Sequence, residues 1–176
     1  MRYAVLLLAV TILVMTTVGS ADETVRKYQA FLQRQGYDPG PINGIVSAKT
    51  MAAIQQYQHE AAAGDRVAQY HVATLYARGI GGPRDPAEAA GWYRRAAEQG
   101  LNEAQYQLGA MYTQGKGLPR DLVRAYAWYY VAVQGSNEKA RRQLLYIEER
   151  MTPPQRQQAL ELGKKLFAVC TTSPAQ

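Results

Sequence analysis

The chain of 176 residues is short of the side chains that most often build reactive centres. It has one cysteine, Cys170, and two histidines, His59 and His71. A single cysteine excludes any internal disulfide, so stability must come from packing. One cysteine and two histidines twelve positions apart form no zinc-type ligand pattern. His59-Glu60 opens a zincin motif, but the position that needs the second histidine is Ala63. Acidic residues number only 14, and Asp85, Glu88 and Asp121 stand where helix starts need them. No glycine loop ending in lysine precedes a helix to cradle a phosphate. No catalytic residue, metal site or cofactor is therefore assigned, and the chain is read as a non-enzyme.

Long apolar runs are also scarce. The one clear run, Ala4 to Val18, follows Arg2 and ends in Gly19-Ser20-Ala21. A basic start, a short apolar stretch and a small-residue end read as a secretory signal peptide over residues 1–21, cleaved after Ala21, with Ser20 as the alternative. The run falls short of the roughly 20 apolar residues that span a bilayer, so no stable transmembrane span is expected after cleavage. The expected location is outside the cytoplasm, in the periplasm. Removing Arg2 with the leader leaves 19 basic and 14 acidic residues, a charge of +5. These charges are scattered and intermingled, whereas a nucleic-acid surface clusters them, so nucleic acid is not an expected partner.

What the chain does have is a repeat. A shift of 36 superposes Ala68, Gln69, Tyr70, Tyr76, Gly79, Gly81, Pro83, Arg84, Asp85, Ala89, Trp92, Tyr93 and Ala96 on identical residues. The second copy carries them as Ala104, Gln105, Tyr106, Tyr112, Gly115, Gly117, Pro119, Arg120, Asp121, Ala125, Trp128, Tyr129 and Ala132. A period of this length signals stacked supersecondary units. Within each unit, apolar residues recur at i, i+4, i+7 and i+8 and then at i, i+3, i+4 and i+7, which predicts two amphipathic helices. Gly79 and Gly81, with Pro83, stop the first helix. Asp85-Pro86-Ala87-Glu88 restarts the chain as N-cap, first-turn proline and capping-box glutamate. Arg124 replaces that glutamate in the second copy, which predicts a slightly weaker start. The Trp-Tyr pairs lie beside alanines at helical spacing and read as core, not as a sugar-stacking platform.

This pattern resembles the Sel-one-like (SLR) repeats, relatives of the tetratricopeptide repeat. The resemblance implies an all-α fold, a short right-handed α-solenoid of helix-turn-helix repeats, acting as a protein-interaction scaffold. It also implies a partner-binding groove lined by outward positions of the first helices: His71, Thr74 and Arg78, then Gln107, Ala110 and Gln114, then Gln143. A peptide or an anionic glycan would suit such a polar, weakly basic surface.

Residues 22–63 precede the repeats. Val25, Tyr28, Phe31, Leu32 and Gln35 have helical spacing, with Asp22 or Thr24 as N-cap. The segment from Gly36 to Gly44 is a turn rich in glycine and proline. Ser47 can cap a second helix from Ala48 to about Ala63, with Thr50, Ala53, Ile54 and Tyr57 on one stripe. Ile42 and Ile45 are expected to plug between the two helices. Val25, Leu32, Gly36-Tyr37, Pro39-Gly40-Pro41-Ile42-Asn43-Gly44, Lys49-Thr50, Ala53-Ile54 and Gln58 resemble a small helical peptidoglycan-binding motif. The resemblance implies a glycan contact, for which Tyr37, Asp38, Asn43, Lys49 and Gln56 are the candidates. The chain departs from the motif at Val46-Ser47-Ala48, where an aromatic, a glycine and a proline are usual. The alternative is a motif reduced to capping the solenoid of a pure protein-interaction module; a cell-wall hydrolase subunit is a third reading.

A degenerate third copy is expected over 140–170. Ala140, Leu144 and Ile147 keep the spacing, Glu148 replaces the tyrosine, and Thr152-Pro153-Pro154-Gln155 makes a shortened turn with a capping box. The last helix, to about Val169, is expected to bury Ala159, Leu160, Gly163, Leu166 and Phe167, leaving 171–176 as a disordered tail. The shift also runs backwards, placing Ala53, Tyr57, Ala61 and Gly64 on Ala89, Tyr93, Ala97 and Gly100. The helix that ends the first motif is thus in register with a repeat's second helix.

Overall fold

The computed structural model describes residues 22–172; the leader segment 1–21 and the last four tail positions lie outside the described residues. Among the described residues all regular structure is helical: α1 (Glu23–Arg34), α2 (Ala48–Ala62), α3 (Arg66–Arg78), α4 (Pro86–Glu98), α5 (Asn102–Gln114), α6 (Leu122–Gln134), α7 (Glu138–Glu148) and α8 (Pro153–Thr172). None of them is long and apolar enough to cross a membrane. Two compact units divide at Gln56/Tyr57, inside α2, so the last residues of α2 group with the repeats.

In the first unit Asp22, not Thr24, caps α1, its carboxylate accepting from the Thr24 N–H at 2.7 Å. Val25, Tyr28 and Leu32 are buried, while Gln35 is the exposed C-cap. Ile42 and Ile45 do not plug the helices; each is 42% exposed. A polar side chain does that work. Gln29, fully buried, donates to the Ile45 carbonyl (2.9 Å) and to Thr50 Oγ1 (3.1 Å), and accepts from the Gly44 N–H (3.0 Å). Thr50 in turn donates its one proton to the Pro39 carbonyl at 2.8 Å. A turn with this much glycine and proline has many backbone groups without ladder partners, and a buried amide can satisfy a donor and an acceptor at once where an isoleucine cannot. Ser47 caps α2 through the Thr50 N–H (3.2 Å), and Thr50 Oγ1 accepts from the Ser47 N–H (3.2 Å). This is a capping box with threonine in the glutamate's place.

The second unit is the repeat array. The pairs α3–α4 and α5–α6 form the hairpins, and α4–α5 and α6–α7 join consecutive repeats. Each first helix ends at a left-handed glycine, Gly79 (φ 73°) or Gly115 (φ 68°), a conformation that costs a residue with a Cβ. The arginine after each repeat's proline then reaches back: Arg84 Nε donates to the Ala77 carbonyl (3.0 Å) and Arg120 Nε to the Thr113 carbonyl (3.3 Å). Asp85 and Asp121 are the N-caps of α4 and α6. The expected capping box at Glu88 does not close. The Asp85 N–H goes to the Tyr76 carbonyl (2.9 Å), as the Asp121 N–H goes to that of Tyr112 (3.0 Å), so the donor a glutamate would take is already satisfied.

Ala89, Ala96, Ala125 and Ala132 are fully buried and let helices approach, with Tyr93, Tyr112, Trp128 and Tyr129 filling the core. Trp92 and Tyr76 are only partly buried against it, and the Arg95 guanidinium stacks 4.6 Å from the Trp92 ring. A second shared device is a buried amide: Gln69 Nε2 donates to the Ala61 carbonyl (3.2 Å), and its counterpart Gln105 Nε2 to that of Ala97 (3.1 Å). Each bond ties a first helix to the helix before it, which extends the 36-residue register back to Ala61.

The third copy is only half a repeat. α7 packs on α6 through Ala140 and Ile147, but α8 packs on α6 and reaches α4 instead of lying along α7. The Thr152–Gln155 box at its start closes, the Thr152 N–H donating to Gln155 Oε1 at 2.9 Å. α8 buries Ala159 and Gly163, with Leu160 and Leu166 half-buried. Phe167 is 38% exposed, not core as expected, and the helix runs on to Thr172, taking the first two residues assigned to the tail.

Candidate functional site

The first helices α3 and α5 and the start of α7 present one polar face. An open pocket of about 420 Å³ there is lined by Tyr70, Tyr106 and Gln107 together with Glu103, Lys139 and Arg142. A neighbouring pocket of about 180 Å³ is lined by Gln107, Ala110 and Gln114 with Arg84, Tyr93 and Lys116. Gln107 lines both. Two carboxylates, Glu103 and Glu138, line the larger pocket with Lys139 and Arg142, whereas Arg84 and Lys116 make the smaller one cationic.

Of the seven groove residues expected from the sequence, the pockets collect Gln107, Ala110 and Gln114. Arg78 is exposed at the end of α3, and Gln143 is half-buried on α7. Thr74 is committed internally: its hydroxyl bonds the Tyr70 carbonyl (3.1 Å) and meets the Tyr93 hydroxyl at 3.0 Å. One hydroxyl has one proton, so with Thr74 donating to the carbonyl, Tyr93 donates to Thr74. Burial pushes the Tyr93 phenol up to about 12, and does the same to Tyr129, which meets Thr113 instead (3.4 Å). His71 lies among rings, 5.3 Å from Tyr70 and 6.2 Å from Tyr57, and burial depresses its pKa to about 4 against the opposing charge of Asp65.

Sequence reasoning missed Tyr70, Tyr106 and Arg142. The signal was available, since the shift of 36 carries 70 to 106 to 142, one position before His71, Gln107 and Gln143. The two tyrosines stood only among the repeat identities; each is partly buried and lines the pocket.

The glycan candidates of the first unit are largely engaged within it. Tyr37 is buried, so its ring face is not open for stacking. Asp38 accepts from Lys49 Nζ at 2.8 Å and from the Gly40 N–H at 3.0 Å. The Lys49 hydrogen bond holds the Asp38 carboxyl below its ordinary value and raises Lys49 in return. Asn43 Oδ1 accepts from the Ile45 N–H (3.0 Å), and Gln56 is exposed. Among the described residues no three His, Cys, Asp or Glu side chains converge as metal ligands.

A helical array with a polar groove across its first helices is the architecture of an interaction solenoid. The family of Sel1 repeats matches residues 66–101 and 102–137, and the putative peptidoglycan binding domain matches 21–62. The chain thus carries two Sel1 repeats behind a domain of the peptidoglycan-binding type. A protective antigen from uropathogenic Escherichia coli strains, which displays an SLR fold, is similar at 29% identity and a TM-score of 0.65, over 90% of this chain and 34% of the antigen. A Sel1 repeat protein from Oxalobacter formigenes is similar at 33% identity and a TM-score of 0.54, over 60% of this chain and 30% of that one. The chain spans about a third of the length of either. No curated protein matches it.

Proposed function

We propose that this protein is a non-catalytic, exported adaptor that holds a partner polypeptide in the groove of its Sel1 repeats. The observation that carries this reading is the face around Gln107, which lines two pockets, where side-chain amides, two tyrosines and charges of both signs are presented together. Such a mixture suits an extended or helical peptide better than a uniformly charged polymer. The leader pattern of residues 1–21 and the peptidoglycan-binding match support a place in the periplasm, with the first unit contacting the wall. Photo-crosslinking from position 107, with position 164 on α8 as control, tests the groove in cell-envelope extract. Adducts from 107 alone are expected; equal labelling from both positions would sink the reading.

A second reading keeps the solenoid and drops the glycan. It is favoured by the internal use of Tyr37, Asp38, Asn43 and Lys49 and by the altered Val46-Ser47-Ala48. Sedimentation of the protein with purified sacculi at low salt separates the two: co-sedimentation supports a wall contact, and a protein left wholly in the supernatant supports the second.

A further inference from the structure

A third pocket, of about 270 Å³, lies at the turns between repeats and shares no lining residue with the groove pockets. It is lined by Gln105, Asn102, Gly135, Val131, Phe167 and Cys170, among others. Gln105 is 2% exposed, and while its Nε2 is bonded to Ala97, its Oε1 is buried without a hydrogen-bond partner. A buried acceptor left this way is costly and asks for a donor.

The first repeat shows which donor fits. There the equivalent oxygen, Gln69 Oε1, accepts from the side-chain amide of Gln99 at 2.9 Å. Around it Arg66 Nη1 donates to the Gln99 carbonyl (2.9 Å), and the second repeat reproduces that contact as Asn102 Nδ2 to the Gly135 carbonyl (2.6 Å). Gln69, Ala61, Arg66 and Gln99 thus map by 36 onto Gln105, Ala97, Asn102 and Gly135. Every part of the arrangement recurs except the amide, because Gly135 has no side chain to supply it.

We infer that this pocket is a binding site for a primary carboxamide, the side chain of a glutamine or asparagine on a partner polypeptide, which donates to Gln105 Oε1 as Gln99 does to Gln69. Val131 and Phe167 supply apolar walls for the methylenes of such a side chain. The Cys170 thiol also touches the Gln105 amide, but its one proton goes to the Ala97 carbonyl at 3.3 Å and burial raises its pKa, so it neither satisfies Oε1 nor reacts at the site.

The test is a titration of the isotopically labelled protein with the tripeptides Gly-Gln-Gly, Gly-Glu-Gly and Gly-Met-Gly. It is followed by NMR at the Gln105 side-chain amide and the backbone amides of residues 99–105. Saturable shifts are expected with the glutamine peptide, and binding at least about tenfold weaker with the other two, which bring no side-chain amide donor. The same response to all three peptides, or none that saturates, overturns the proposal. Gly135→Gln should fill the site from within and abolish the glutamine response. A Cβ at 135 would meet the Asn102 side chain, so the paired variant Asn102→Arg with Gly135→Gln, which rebuilds the Arg66–Gln99 arrangement, is made alongside. A folded variant of either kind that still binds the glutamine peptide as the native protein does would also overturn it, and the peptide comparison on the native protein decides even if neither variant folds.

Discussion

Gly109, buried inside α5, has no room for a side chain: a Cβ there would lie 2.7 Å from Cδ1 of Tyr129. Alanine raises helix propensity by about 1 kcal/mol, but overpacking a filled core costs about 1–3 kcal/mol. Gly109→Ala should therefore lower stability. Gly91→Ala in α4, where a Cβ meets nothing within 4 Å, should raise it by up to about 1 kcal/mol. Denaturant midpoints of the two variants check the opposite signs. His71 gives the pH counterpart. Its folded pKa of about 4 lies below the ordinary 6.5, so the fold favours the neutral ring. Its contribution is whole above pH 6.5 and is lost as the pH falls from 6.5 towards 4, because the unfolded chain takes up the proton first. Discounted for the ring's partial exposure, this is on the order of 1 kcal/mol. His71→Gln should show a smaller drop in denaturant midpoint between pH 7.5 and 4.5 than the native protein; equal drops would refute the assignment.

At the scale of elements, the two copies of one helix start differ in a way the chain order hides. The Asp85 carboxylate accepts from two N–H groups, Ala87 and Glu88, both at 3.0 Å, whereas Asp121 accepts from one, Arg124 at 2.9 Å. The Arg124 side chain adds an exposed ion pair to Asp121 at 3.4 Å, a contact of little worth in water. Replacing a capping aspartate by alanine costs about 0.5–2 kcal/mol, so Asp85→Ala should sit at the upper end and Asp121→Ala at the lower. Amide hydrogen exchange in the first turns of α4 and α6 reads each cap separately. The second cap makes one hydrogen bond fewer, so the weaker start that Arg124 suggested is expected from the number of donors reaching the aspartate and not from a broken capping box. α7 shows what happens when a repeat loses its second half. Leu145 stands where Ala73 and Gly109 stand, and those two are buried while Leu145 is 57% exposed. Counted from the N-cap, the positions of the earlier Trp-Tyr pairs hold Ala159 and Leu160, so α8 has no aromatic wedge to set against α7.

For the repeat array as a whole, α8 is the piece that closes it. Its Gly163 lies under Tyr130, where a Cβ would come within 2.9 Å of Cδ1, and Cys170 near its other end bonds the last turn of α4. A 20-residue helix extends about 30 Å, long enough to reach both α6 and α4. Gly163→Leu should lift α8 from α6, with faster amide exchange along α8 and α6 and little change in α3. Unchanged protection of α6 would mean that the array does not depend on this helix. Nearest-neighbour stacking makes an uncovered terminal repeat the natural weak point of a solenoid, and α8 covers the face that a further helix pair would otherwise protect.

Much of this was written in the order of residues. A period of 36, two amphipathic spacings, the glycine stops and the aspartate caps are local or strictly repeated features, so they determined the helices, their turns and the Sel1-type solenoid before any coordinates. The peptidoglycan-binding-type helices were legible for the same reason, from a turn whose glycines and prolines admit few conformations. Tertiary structure alone decided which polar side chains face inward. Gln29 looks like a surface residue on its helix, and only the approach of Gly44, Ile45 and Thr50 makes it the centre of the first unit. Gln69 and Gln105 are identical in sequence, yet one amide oxygen is satisfied and the other is not, because the residue 30 positions further along is Gln99 in one case and Gly135 in the other. The groove implied by the resemblance divided in the same way: Gln107, Ala110 and Gln114 line the pockets, while the Thr74 hydroxyl is spent on Tyr93 and Tyr70 lines the larger pocket. Periodicity states which face a side chain is on; whether its hydrogen-bonding groups are spent there depends on atoms far away in the chain.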